Sequence, residues 1–89
     1  MELDIIAQRT LISVENPNET VGIEVARPRV MQDGHGWECF YRITTPRGCE
    51  TRYSAGADAL QSLQLALEII GVKVGLIEKS SGCTFSYGQ

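Results

Sequence analysis

An α+β domain with four antiparallel strands and one long C-terminal helix is what this sequence predicts, on three observations. Residues 5–54 hold four stretches of strand-like composition or alternation, separated by turn residues. After Ser54 the apolar spacing changes from two to between three and four and keeps that period. Strands followed by a helix, rather than alternating with helices, describe a meander with the helix laid across one face. The 89 residues are read as a single domain over 1–89, because a chain this size supports one modest core.

The first strand is expected over 5–14. It is rich in β-branched residues, but its phase is ambiguous: Ile6, Thr10, Ile12 and Val14 oppose Ile5, Ala7 and Leu11. An edge strand and a strand covered on both faces both fit. Glu15-Asn16-Pro17-Asn18-Glu19 is a turn, with proline presetting φ and asparagines tolerating left-handed geometry. The second strand, 20–29, turns Val21, Ile23 and Val25 one way and Gly22, Glu24 and Ala26 the other. Pro28 cannot donate a ladder hydrogen bond, so the strand ends there, bulges, or lies at an edge.

Met31-Gln32-Asp33-Gly34-His35-Gly36 is a loop. The third strand, 37–44, has the cleanest alternation, with Trp37, Cys39, Tyr41 and Ile43 opposite Glu38, Phe40, Arg42 and Thr44. Thr45-Pro46-Arg47-Gly48 turns the chain into a fourth strand, 49–54. There Cys49, Thr51 and Tyr53 read as the core face, and Glu50 and Arg52 as the wet one.

The helix is expected over 58–79, roughly 33 Å long at 1.5 Å per residue. Asp58 is the N-cap and Gln61 completes a capping box. Leu60, Leu63, Leu67, Ile70, Val74 and Ile77 form the stripe that should meet the sheet, with Gln61, Ser62, Gln64, Glu68 and Lys73 off it. Gly71 and Gly75 each cost about 1 kcal/mol relative to alanine, so a bend or an early end is compatible with the pattern. Ser80-Ser81-Gly82 supplies the stop, and the tail at 83–87 alternates well enough for a short last strand.

The residues Ile6-Ala7-Gln8-Arg9-Thr10-Leu11, Trp37-Glu38-Cys39, Tyr41-Arg42-Ile43 and the run Gly56 to Glu68, of pattern G-x-D-x-[IL]-Q-[AS]-L-x-L-A-L, carry a resemblance. Over about residues 5 to 78 the chain resembles a family of small bacterial proteins known only as a domain of unknown function. That resemblance implies a bacterial origin and a stand-alone domain, and no activity. Two departures from it are the glycine-flanked His35 and the Arg27-Pro28-Arg29 end of the second strand. Every pattern residue also has a folding role: Gly56 for the strand-to-helix entry, Asp58 for the cap, the leucines for the core.

Composition narrows the function. The formal charge is −3, which disfavours general nucleic-acid binding. No uninterrupted run reaches the ~18 apolar residues of a membrane span, and no secretory signal is recognised, so the cytoplasm is the expected compartment. Cys39, Cys49 and Cys83 form no C-x-x-C pair and are odd in number, so neither a zinc ribbon nor a disulfide framework is expected, and no metal or cofactor. Five of the eight basic residues, Arg27, Arg29, Arg42, Arg47 and Arg52, lie between positions 27 and 52. With His35 in its loop and Phe40 on the second sheet face, they are the candidate ligand- or partner-binding residues. The simpler explanation is a solvated face of short-range ion pairs.

No catalytic residues are assigned. The leading expectation is a non-enzymatic protein-interaction module using the open sheet face or an edge strand, in the manner of an immunity protein or stoichiometric inhibitor, and self-association as a twofold dimer fits the same face. Phe85 and Tyr87 in the tail are candidate partner anchors. The alternative is a small-ligand or nucleotide binder built on the arginines, and a minimal Cys/His enzyme ranks last.

Overall fold

In the computed structural model, which describes residues 2–87, the elements run β1 (Ile5–Ser13), β2 (Thr20–Ala26), β3 (Arg29–Val30), β4 (Trp37–Thr45), β5 (Gly48–Gly56), α1 (Ala59–Ser81) and β6 (Phe85–Tyr87). The α+β class, the single C-terminal helix and the short last strand in the tail, β6, are as expected, but the four strands before the helix become five, because Pro28 splits the second predicted strand into β2 and β3. Val25 pairs with Tyr41 and Arg29 with Glu38, so one extra residue is accommodated between them. Pro28 therefore marks a bulge between the interior strand β2 and β3, which pairs only with β4, a place where a missing N–H is tolerated.

β5 pairs with β4 along its whole length, from Trp37↔Gly56 to Thr45↔Gly48. β2 and β3 share the other edge of β4, β1 lies beyond β2, and β6 returns to pair antiparallel with β1. The meander thus stands, with β6 added at its far side. Its turns follow the residues that suit them. Glu19 N–H donates to the Asn16 carbonyl around Pro17 at 2.9 Å. Gly34, at φ 75°, lets the 31–36 loop close through a 2.8 Å hydrogen bond from Met31 N–H to the Gly36 carbonyl.

α1 starts where its cap predicts. Asp58 Oδ1 accepts from Gln61 N–H at 2.7 Å, and Gln61 Oε1 accepts from Ala57 N–H at 2.6 Å. Such a cap contributes about 1 kcal/mol. The helix runs unbroken through Gly71 and Gly75 to a left-handed Gly82, whose N–H bonds the Glu78 carbonyl.

The helix packs on β4 and β5, and Leu63, Ile70, Val74 and Ile77 of the predicted stripe meet the core, but Leu60 and Leu67 do not. Its buried residues are Ser62, Ala66 and Ile70, while Leu60 and Leu67 are 65% and 52% exposed. The cause lies at Gly56, where a Cβ would stand 2.5 Å from Ser62 N and 2.9 Å from its Cα. The helix backbone rests directly on the end of β5, and only a ridge of small side chains fits beneath it. The core that results joins Leu11, Val21, Val25, Cys39, Tyr41, Ile43, Ala66 and Ile70. Trp37, expected among them, is half-buried.

The phase of β5 is also reversed. Cross-strand partners share a face, so Ser54 lies inward opposite Cys39 and Arg52 opposite Tyr41, while Tyr53 lies outward opposite Phe40. Tyr53 is accordingly 50% exposed and does not meet the helix. Glu50 lies inward and pairs with Lys73 of α1.

Candidate interaction surfaces

The five arginines are placed along the sheet by its register, and it distributes them. Arg29 and Arg42 lie on the outer face, opposite Glu38 and Thr51, whereas Arg52 lies on the helix side. Arg47 sits at the β4–β5 turn and Arg27 in the β2–β3 bulge. Each has a carboxylate: Arg27 with Asp4 at 2.7 Å, Arg29 with Glu38 at 2.6 Å, Arg42 with Glu24 at 3.2 Å, Arg47 with Glu19 at 2.8 Å, and Arg52 with Glu50 at 3.7 Å. Surface pairs of this kind add little stability, up to about 1 kcal/mol each. They do cancel the local field that an anionic ligand would need. The arginines thus form five ion pairs, and only Arg27 and Arg29 come together, with Phe40, at a smaller pocket of about 240 Å³ that Glu2 and Asp4 also line.

Phe40 lies on the outer face as predicted, though it is not bare. Its ring meets Tyr53 with centroids 5.2 Å apart, and the Arg29 guanidinium stands 4.9 Å from its centroid. The three make a small aromatic and cationic ridge.

His35 is exposed in its loop, where its backbone N–H donates to Asp33 Oδ1 at 2.9 Å. Cys49 lies at the opposite end of the β4–β5 hairpin, against Thr44. Cys39 is buried, with its thiol donating to the Ala26 carbonyl at 3.4 Å, and burial pushes its pKa up. A thiol held protonated in this way is a poor nucleophile. Among the described residues no three His, Cys, Asp or Glu side chains gather to hold a metal ion.

The surface that sequence reasoning missed lies on the inner face. α1 packs mainly on β4 and β5, and between its flank and the β1–β2–β6 half lies a groove of about 780 Å³, although Leu11 and Val25 beneath it are already buried. Leu11, Ile23 and Val25 form its floor, Leu67 and Val74 its helix wall, and Phe85 its far end. Arg9 and Glu78 are the charged groups at it, and Glu78 Oε2 accepts from Phe85 N–H at 2.9 Å. Phe85 is half-buried at the end of the groove, packed against the core, while the Tyr87 side chain lies outside the described residues. The signal available in the sequence was the excess of apolar residues on the helix, more than one face needs.

Averaged over an 18-residue window, α1 reaches a mean hydropathy of 1.5, with 17% of that window buried. By length and composition it is therefore apolar enough to cross a membrane, a test that core helices also pass, although Glu68 and Lys73 keep it from being an unbroken apolar run.

Two carboxylates are held below their ordinary pKa. Glu15 is lowered chiefly by the backbone N–H of Thr84, which donates to its Oε1 at 2.8 Å, and Glu50 chiefly by the hydrogen bond from Lys73. A lowered folded-state pKa adds stability above the unfolded value, 4.5 for these groups, and that stability is lost as pH falls through the folded value. Melting temperature should therefore drop below about pH 4.5. In Glu15→Gln/Glu50→Gln the drop between neutral and acid pH should be shallower, and an unchanged acid profile in that double variant would refute the assignment.

A family model described as a domain of unknown function, DUF6968, matches residues 7–86. Neither the curated proteins nor the solved structures contain a match to the chain.

Proposed function

We propose the following for a chain that belongs to the DUF6968 family: it is a non-enzymatic module that binds an amphipathic helix of another protein in the groove between α1 and β1–β2–β6. The half-covered inner face carries this reading. Five strand positions at about 4.8 Å span roughly 24 Å, and one helix of about 10 Å covers less than half of that. The remaining width fits one further helix. Its apolar stripe would meet Leu11, Ile23, Val25, Leu67 and Phe85, and its polar flanks would run past Arg9 and Glu78 at the rim. An immunity-protein-like or inhibitor-like role, in a bacterial cytoplasm, belongs to the same proposal. The small-ligand alternative keeps only the smaller pocket at Arg27, Arg29 and Phe40, where both arginines are ion-paired, and its other arginines are spread over both faces.

The test is affinity capture from the source cell with three baits: wild type, Leu67→Glu, and Arg42→Ala/Arg52→Ala. Leu67 is half-exposed, so a charge there changes the groove without emptying the core. A partner held by wild type and by the arginine variant, lost from Leu67→Glu, supports the reading. Equal capture by all three overturns it, as does sedimentation of the purified protein with phosphatidylcholine vesicles.

A further inference from the structure

We infer that β5 is the seam of a twofold homodimer, in which two copies pair their β5 strands antiparallel about Thr51. This surface is separate from the groove, on the opposite flank of α1. β4 is bonded on one edge by β2 and β3 and on the other by all nine residues of β5. Among the described residues no strand pairs with the outer edge of β5. A regular nine-residue edge is an open template for another strand.

The register selects the partner. Thr45↔Gly48 closes a two-residue turn and is a hydrogen-bonded pair, so Gly48, Glu50, Arg52, Ser54 and Gly56 direct their backbone groups at β4. Cys49, Thr51, Tyr53 and Ala55 therefore point theirs at the free edge. Pairing about Thr51 sets Thr51 against Thr51 and Cys49 against Tyr53, which are the residues with outward backbone groups. It also sets Glu50 against Arg52 of the other copy, twice, at the pairs without backbone bonds, where side chains lie closest. Centring the axis on Cys49 or Tyr53 instead sets these charges against uncharged residues. The charge pattern is self-complementary in one register only.

The helix layer agrees. A twofold axis normal to the sheet leaves both helices on one side of it. α1 packs on β4 and β5, so a helix centred between them stands about one strand spacing, ~4.8 Å, from the axis. The two helices are then roughly 10 Å apart, the distance at which helices pack. At about 100° per residue, Val72 and Leu76 fall on the flank opposite the groove, beyond Lys73, which reaches down to Glu50. They are 65% and 60% exposed, and they face their counterparts across the seam. The accessible surface of the single chain, 5846 Å², exceeds the roughly 5200 Å² usual for a monomer of this mass.

Sedimentation equilibrium at about 100 μM should give twice the 9.8 kDa chain mass. Arg52→Glu and Glu50→Arg should each weaken the dimer by roughly tenfold or more, since each sets like charges across the seam. Mixing the two variants should restore a one-to-one heterodimer. One copy then carries only carboxylates at positions 50 and 52 and the other only guanidiniums, so both cross-seam pairs are again of opposite charge. Damaged folding would not recover in this way. Thr51→Pro, which removes an outward donor and leaves the β4 bonds intact, should also be monomeric, and Leu67→Glu should stay dimeric. A monomeric wild type, or variants that remain dimeric with unchanged affinity, overturns the inference. Because the groove is tested by Leu67→Glu capture, the two proposals fail separately.

Discussion

Gly56→Ala should lower the stability of the protein by about 3 kcal/mol or more, the upper end for an added methyl group in a packed interior. For a domain of this length that is a fall of roughly 12–24 °C in melting temperature. The new Cβ would lie 2.5 Å from Ser62 N, 2.9 Å from Ser62 Cα and 3.0 Å from Gln61 C. All three are helix backbone, so no side chain can rotate out of the way. Either the first turn of α1 lifts from β5 or the end of the strand bends. Lifting that turn also pulls Ser62 and Ala66, both fully buried, off the sheet. Gly22→Ala is the control, because its Cβ would meet the Thr44 side chain at 3.7 Å, an ordinary contact. It should stay within about 1 kcal/mol of wild type. A Gly56→Ala melt within a few degrees of wild type would mean that the close approach does not set the position of the helix.

The same contact explains which parts of the fold were legible in the sequence. Local signals translated well. Asp58 and Gln61 capped the helix, Pro28 interrupted a strand, and the Thr45-Pro46-Arg47-Gly48 turn joined β4 to β5. These depend on residues within a few positions of one another. The phases of β5 and of the first turns of α1 did not translate, because they depend on contacts distant in sequence. α1 is apolar around much of its circumference, so a stripe that rightly holds Leu63, Ile70, Val74 and Ile77 also takes in the exposed Leu60 and Leu67 and leaves out the buried Ser62 and Ala66. What decides this is Gly56, which favours small residues where the backbones meet. In β5, apolarity put Tyr53 inward, whereas the turn had already fixed the register. With Thr45 opposite Gly48, counting back sets Tyr41 against Arg52 and Phe40 against Tyr53. That information was present, and polarity outweighed it. The arginine cluster dissolved for the same reason: nearness in sequence does not place Arg42 and Arg52 on one face. The groove follows from the helix phase and was invisible without it.

The helix phase can be tested directly by truncating Ile70 and Leu67. Ile70 is 6% exposed and belongs to the core with Tyr41, Ile43 and Ala66, whereas Leu67 is 52% exposed on the groove wall. Ile70→Ala removes buried methyl groups and leaves a cavity, so it should cost about 2–5 kcal/mol. Leu67→Ala removes groups that already touch water, so it should cost less than about 1 kcal/mol. The leucine-stripe reading gives no such ordering, since it buries both residues. Urea unfolding of the two variants reads the difference as a shift in midpoint at constant slope. Equal losses would place Leu67 in the core and close the groove, and with it the proposed helix-binding site. A large loss for Ile70→Ala alone would leave Leu67 free to act on a partner. The leucine whose removal the fold tolerates is then the one whose charge substitution should abolish binding.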